Sequence, residues 1–364
     1  MTARTGLKFG KRDMAALGCA HYIAECTQVG VLLPELLPER WHKIGLEKGA
    51  WFRMIDVQVQ RSLTLQAPPE AGRPLFLSAA SGLVCLRQYF YVVADDELHL
   101  GQFAREGDLP GTLLRLFPGR LPDGPAERKA QKPDLEALTL LPAAPNWPFG
   151  ALLALGSGSK AARYSGALCV LEDNGRVQGE PKIFELNRLY NALENYIGKL
   201  NIEGAFVNGD QLMLLQRGNK KSRLNALIRL PLNHTLNALL EPEVTIDVSA
   251  NQIVPFELGS VKGVPLAFTD GQALPNGDFV FSAVAEDTED SYHDGDCVGV
   301  VLGVASVHGR VLWQQPLRQV FKVEGISASV EGTNIQLQLV TDADDPSMPA
   351  MLLTTQISGY PFQS

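Results

Sequence analysis

With 364 residues and 45% hydrophobic composition, the chain holds enough apolar material for one large fold or two domains. Its net charge of −8 and pI near 5.4 argue against a nucleic-acid partner, because phosphate binding needs a basic surface that releases counterions. No run of about 18 apolar residues is present, which argues against a membrane-spanning helix, and five scattered cysteines without metal-ligand spacing read as reduced thiols of a cytoplasmic protein.

Residues 1–53 differ in character from the rest. Lys8, Lys11 and Arg12 precede the apolar stretch Met14 to Cys19 in the manner of a secretion signal, but that stretch is short, and His21 and Glu25 interrupt the residues after it. The simpler reading is a non-conforming extension ahead of a domain spanning 54–364, since Met54 immediately precedes the first strand-like segment.

From Ile55 onward, short runs of Val, Leu, Phe and Tyr alternate with Gly, Asn and Asp turns. A phrase recurs along this region: an acidic residue, then a small one, opening an apolar run. It appears as Asp134-Leu135-Glu136-Ala137-Leu138, Asn201-Ile202-Glu203-Gly204-Ala205-Phe206 and Lys322-Val323-Glu324-Gly325-Ile326, with looser relatives at Ser81-Gly82-Leu83 and Thr269-Asp270-Gly271. Such a spacing indicates a repeated four-stranded unit.

Strands are expected at 83–86, 89–94, 98–103 and 112–117, then at 137–141, 151–155, 167–171 and 182–186. A helix is expected over Asn187 to Leu200, where Leu189, Tyr190, Leu193 and Ile197 recur at helical spacing. The third repeat reads as strands at 205–207, 211–216, 226–230 and 244–248, with Asn208-Gly209 at its hairpin. The fourth reads as 272–274, 278–284, 298–304 and 311–315, with Asn276-Gly277 at the equivalent turn. The last supplies only 326–330, 334–340 and 350–357. The missing strand is supplied by Asp56 to Leu65, which has no repeat of its own. The expected fold is therefore an all-β propeller of five four-stranded blades closed by the N-terminal strand, or of six if a long insertion hides another sheet.

The phrases at Glu203 and Glu324, each followed by a strand and hairpin, resemble those of the phytase-like β-propeller proteins and their bacterial relatives. The stretch Ser78-Ala79-Ala80-Ser81-Gly82-Leu83 and the later Val92 to Leu100 look like the opening blade of one family in that group. The resemblance covers about Ile55 to Ser364 and implies a metal-dependent phosphoesterase-like hydrolase. Glu136 is followed by Ala, and Ser81 and Asp270 stand where Glu is expected, so the chain departs from a strict phytase-type metal site.

In a propeller, the start of each inner strand and the end of the second strand meet at one mouth of the channel. The candidate ligand-binding residues are therefore Glu136, Glu203, Asp270, Glu324, Arg217 and Lys220, with Glu136, Glu203 and Glu324 as metal ligands. Carboxylates about 7 Å apart repel by roughly 2 kcal/mol at an effective dielectric near 20. Ca²⁺, basic neighbours or partial protonation would each relieve that repulsion. Three roles stay open: locking one blade to the next through backbone N–H groups, binding a small molecule or metal ion, and acid-base catalysis. A non-catalytic scaffold for a protein partner is the alternative to all of them.

The histidines lack zinc-ligand spacing, and Gly156-Ser157-Gly158-Ser159-Lys160 has the wrong order for a serine nucleophile. With Arg163, that segment reads as a flexible loop or an anion-binding nest. The acidic run from Glu286 to Asp296 reads as a solvated loop, since it lacks the order of a calcium-binding EF-hand.

Overall fold

The computed structural model describes residues 54–218, 224–241, 243–287 and 296–359. After β1 (Gln58–Ser62), blade 1 is built from β2 (Ala80–Cys85), β3 (Tyr89–Ala94), β4 (His99–Ala104) and β5 (Thr112–Arg115). Helix α1 (Pro125–Gln131) leads into blade 2, made of β6 (Leu135–Leu141), β7 (Ala151–Gly156), β8 (Ser165–Leu171) and β9 (Val177–Glu185). Helix α2 (Asn187–Ile197) precedes blade 3, in which β10 (Ile202–Asn208), β11 (Gln211–Gln216) and β12 (Asn225–Pro231) are followed by α3 (Leu232–Leu240) and then β13 (Ile253–Phe256). A small hairpin of β14 (Ser260–Val261) and β15 (Val264–Pro265) leads to blade 4: β16 (Ala267–Ala273), β17 (Phe279–Asp287), β18 (Asp296–Ser306) and β19 (Arg310–Pro316). Blade 5 takes β20 (Val323–Glu331), β21 (Asn334–Thr341) and β22 (Met351–Ile357) from the end of the chain, and β1 as its outer strand.

The protein is thus a five-bladed β-propeller of antiparallel four-stranded sheets, which selects five over six. The fourth strand of blade 3 departs from the sequence reading. Residues 244–248 are not a strand, because Leu232, Leu236 and Leu239 recur at helical spacing and bury one face of α3, displacing the outer strand to Ile253–Phe256.

Closure follows the expected route. Gln58 pairs with Thr354, and Ser62 with Met351. The same segment reaches past its own blade at both ends: Ile55 bridges Leu317 of blade 4, and Leu65 bridges Gly111 beside blade 1. A single N-terminal segment therefore ties three blades together.

The core is divided among the gaps between blades. Ala137, Leu153 and Leu155 of blade 2 meet Leu212, Leu214 and Ile228 of blade 3. Phe206 and Met213 meet Phe268, Phe279 and Phe281 across the next gap, where Phe268 and Phe281 stand edge to face at 5.2 Å. Because both faces of a blade are covered, second strands such as Leu212 to Leu215 read as continuous apolar runs rather than alternating ones.

Shortening the chain to begin at Met54 is expected to leave a cooperatively folding protein, whereas removing residues 1–66 is expected to expose the unpaired edge of β22 and cause aggregation. Thermal melting and light scattering compare the two; equal behaviour would contradict closure through β1.

Candidate functional site at the channel mouth

Every inner strand carries a register shift at its second or, in β16, third residue: between Ala80 and Gly82, Leu135 and Ala137, Ile202 and Gly204, Phe268 and Asp270, and Val323 and Gly325. A bulge leaves one residue outside the ladder and re-aims its side chain. The extra residues are Ser81, Glu136, Glu203, Thr269 and Glu324, at the end where the inner strands begin.

In blade 4 the phrase is offset by one residue: Thr269 occupies the bulge and hydrogen-bonds Ser282 at 2.7 Å, while Asp270 takes the small position. Asp270 is buried and accepts hydrogen bonds from the backbone N–H groups of Gly271 at 2.8 Å and Ile326 at 2.9 Å. It locks blade 4 to blade 5. Burial pushes its carboxyl well above the usual range, with the two amide donors opposing.

Glu203 and Glu324 sit in a network of direct ion pairs. Arg217, just past β11, lies 3.0 Å from Glu203, 2.6 Å from Glu286 and 3.7 Å from Glu324. Lys322 lies 3.1 Å from Glu286, 3.4 Å from Glu324 and 2.6 Å from Asp344. Asn201 donates a further hydrogen bond to Glu203. Burial pushes Glu324 up to about 7 against the pull of Lys322 and Arg217. Burial also disfavours the Glu286 anion, but the same two cations outweigh it and hold the carboxyl at about 2.

Glu136 is placed differently. Its ligand oxygen and those of Asp95 and Asp134 lie within 4.8 Å of one another. Lys132 bridges Asp95 and Asp134, at 2.9 Å from the latter, and Arg163 lies 2.6 Å from Asp134. Ser157 donates to Asp134 at 2.5 Å, so the Gly156 to Lys160 segment is part of this cluster. Glu136 itself accepts no hydrogen bond and meets no cation at ion-pair distance among the described residues. Burial raises its carboxyl well above the usual range, and Glu203, Asp134 and Asp95 raise it further, with Lys132 opposing.

The three expected metal ligands thus fall into two settings: Glu203 and Glu324 face Arg217, while Glu136 faces Asp95 and Asp134. Lys220 and residues 288–295 of the acidic run lie outside the described residues. Asp134, Lys132 and Lys322 were absent from the expected site. For Asp134 and Lys322 the signal is the position two residues before the glutamate, where Asn201 stands in blade 3; Lys132 lies four before and has no such signal.

Two substitutions separate locking from charge balance. Asp270→Ala strands two buried amide donors and is expected to lower unfolding free energy by roughly 2–4 kcal/mol, measured by denaturant titration; a loss under about 0.5 kcal/mol would contradict the lock. Glu324 has a raised folded-state pKa, so its contribution is full below the unfolded carboxyl value and is lost as pH rises toward 7. Glu324→Gln is therefore expected to gain stability relative to the parent between pH 5 and 8, and a constant difference would contradict this assignment.

Among solved structures, the chain is similar to glutaminyl cyclase from Myxococcus xanthus (11% identity, TM-score 0.42, covering 84% of this chain and 100% of that one). It is also similar to a putative glycoside hydrolase from Parabacteroides distasonis (10%, TM-score 0.44, 84% and 97%) and to MPT-1, a GDP-Man-dependent mannosyltransferase from Leishmania mexicana (13%, TM-score 0.37, 84% and 91%). No curated protein matches. No helix among the described residues is long and apolar enough to cross a membrane. Residues 76–357, covering all or part of each of the five blades, match a family of unknown function, DUF6929, and the chain belongs to that family.

Proposed function

We propose that the channel mouth is a binding site for a divalent cation, held by Asp95, Asp134 and Glu136. The observation that carries this reading is the convergence of three carboxylate oxygens within 4.8 Å around a Glu136 that has no partner of its own. Lys132 and Arg163 supply two positive charges against three potential negative ones, so the cluster is one charge short when Glu136 is ionised. Either a proton or a cation meets that deficit. An all-oxygen set suits a hard ion such as Ca²⁺.

A bound cation would also change what the rim attracts. Lys160 is exposed, and Arg163, with Lys129 and Lys199 nearby, pushes its pKa down. Cation and basic rim together favour an anionic ligand, and the phytase-like resemblance of the Glu-Gly phrases makes a phosphate ester the ligand to try. Hydrolysis of that ester would be the associated activity.

Ca²⁺ is expected to raise the melting temperature of chelator-treated protein, since a ligand that prefers the native state stabilises it by mass action. Glu136→Gln is expected to remove that response. Affinity should increase from pH 5 to pH 8, because the cation must displace the proton that Glu136's raised pKa retains. A melting temperature indifferent to chelator, Ca²⁺ and Mg²⁺, together with higher stability for Glu136→Gln, would show that protonation and Lys132 alone balance the cluster.

A further inference from the structure

We infer that the cleft between blades 5 and 1, at the end of the ring opposite the acidic mouth, binds a neutral, hydroxyl-rich small molecule such as a sugar or polyol. The starting observation is an exception in the sequence pattern. Second strands of the other blades are apolar on both faces, as in Ala151 to Leu155 and Leu212 to Leu215, because neighbouring blades cover both. Strand β21 instead alternates: Ile335, Leu337 and Leu339 are buried in the gap toward blade 4, while Gln336 and Gln338 lie on the face toward blade 1.

The alternation extends across the sheet. Gln338 is opposite Ser327 on one side and Thr354 on the other, and Thr354 is opposite Gln58. Gln336 is similarly opposite Ser329 and Gln356. Two rows of uncharged polar side chains thus stand where the other gaps hold core. Nearer the acidic mouth the same face returns to Val340 and Leu352, which pack with Leu83, Phe90 and Phe103 of blade 1. The gap is closed at one end and open at the other, leaving a cleft of about 520 Å³, within the range of roughly 300–1,000 Å³ usual for small-molecule sites.

The lining selects the chemistry. A primary amide presents donors and an acceptor, and a hydroxyl does both, so rows of Gln, Ser and Thr match a ligand whose groups also do both. The three charged residues of the lining stand at its edge, each with a partner: Asp56 pairs with Arg318 at 2.6 Å, Arg105 donates to the Leu86 carbonyl at 3.2 Å, and Glu331 accepts from Gln336 at 3.4 Å. Burial pushes the Cys85 thiol up to about 11, which keeps it neutral. Gln336 and Gln356 are joined at 2.9 Å, a contact that orients both amides, while the Gln338 side chain has no hydrogen-bond partner among the described residues.

The test is calorimetric titration of the full chain with glucose, maltose and glycerol, alongside glucose 6-phosphate and glucuronate, all in the presence of chelator so that the acidic mouth plays no part. Saturable binding of at least one neutral probe is expected, with the charged counterparts weaker. Gln338→Leu is expected to weaken that binding about tenfold, as loss of one or two hydrogen bonds implies. Gln336→Leu together with Gln338→Leu should abolish it while leaving the melting temperature unchanged or raised. No saturable binding by any neutral probe, tighter binding of the anions, or affinity unaffected by the double substitution would each overturn the inference.

Discussion

The close approach of five inner strands around one axis is the constraint on which the rest of the structure depends. Each inner strand packs against the inner strands of both neighbouring blades, and the small positions make this approach possible. A Cβ placed on Gly82 would lie 2.9 Å from the Leu138 backbone nitrogen, and one on Gly325 would lie 2.7 Å from a Val340 methyl and 3.0 Å from the Leu83 nitrogen. With no room for side chains at those positions, the bulge one residue earlier sends its side chain out at the mouth. The repeated acidic-small phrase is the imprint of both requirements, and its glutamates are brought together by the geometry that closes the ring.

Bringing carboxylates together has an electrostatic cost, and the ring meets it in three ways. Blade 4 avoids it by turning its acid inward as a lock on backbone amides. Blades 3 and 5 share Arg217 and Lys322, whose burial disfavours their charge but whose carboxylate neighbours raise both pKa values well above the usual. Such pairs hold each other in place, since removing one partner of a buried pair costs about 3–5 kcal/mol. Blade 2 leaves Glu136 without a partner, beside two aspartates already neutralised by Lys132 and Arg163. This asymmetry within a pseudo-symmetric ring separates carboxylates held by direct ion pairs from one without a cationic partner, where an added cation would be stabilising.

Much of the fold was legible because propeller strands obey short-range rules. Glycine and asparagine turns, apolar second strands and the unmatched strand at each end of the chain are written in consecutive residues. The outer strand of blade 3 was not, because α3 intervenes and places that strand by packing rather than by local propensity. At the site, the three glutamates were visible as a repeated letter, but their partners were not. Lys132 precedes Glu136 by four residues, on the far side of Asp134, whose backbone is left-handed at φ 55, and Arg163 arrives from the short turn after β7. Their meeting is a property of the closed ring. The offset of Asp270 was equally hidden, since only the ladder register shows that Thr269 takes the bulge.

The central claim, that Glu203 and Glu324 are held by direct ion pairs while Glu136 is open to an added cation, is tested most directly by anomalous X-ray diffraction from crystals soaked in Mn²⁺ at pH 8. The account predicts one anomalous peak among the side-chain oxygens of Asp95, Asp134 and Glu136, and none between Glu203 and Glu324, where Arg217 already stands. A peak beside Glu203 and Glu324, or no peak at the Asp95, Asp134 and Glu136 cluster at saturating metal, would contradict it.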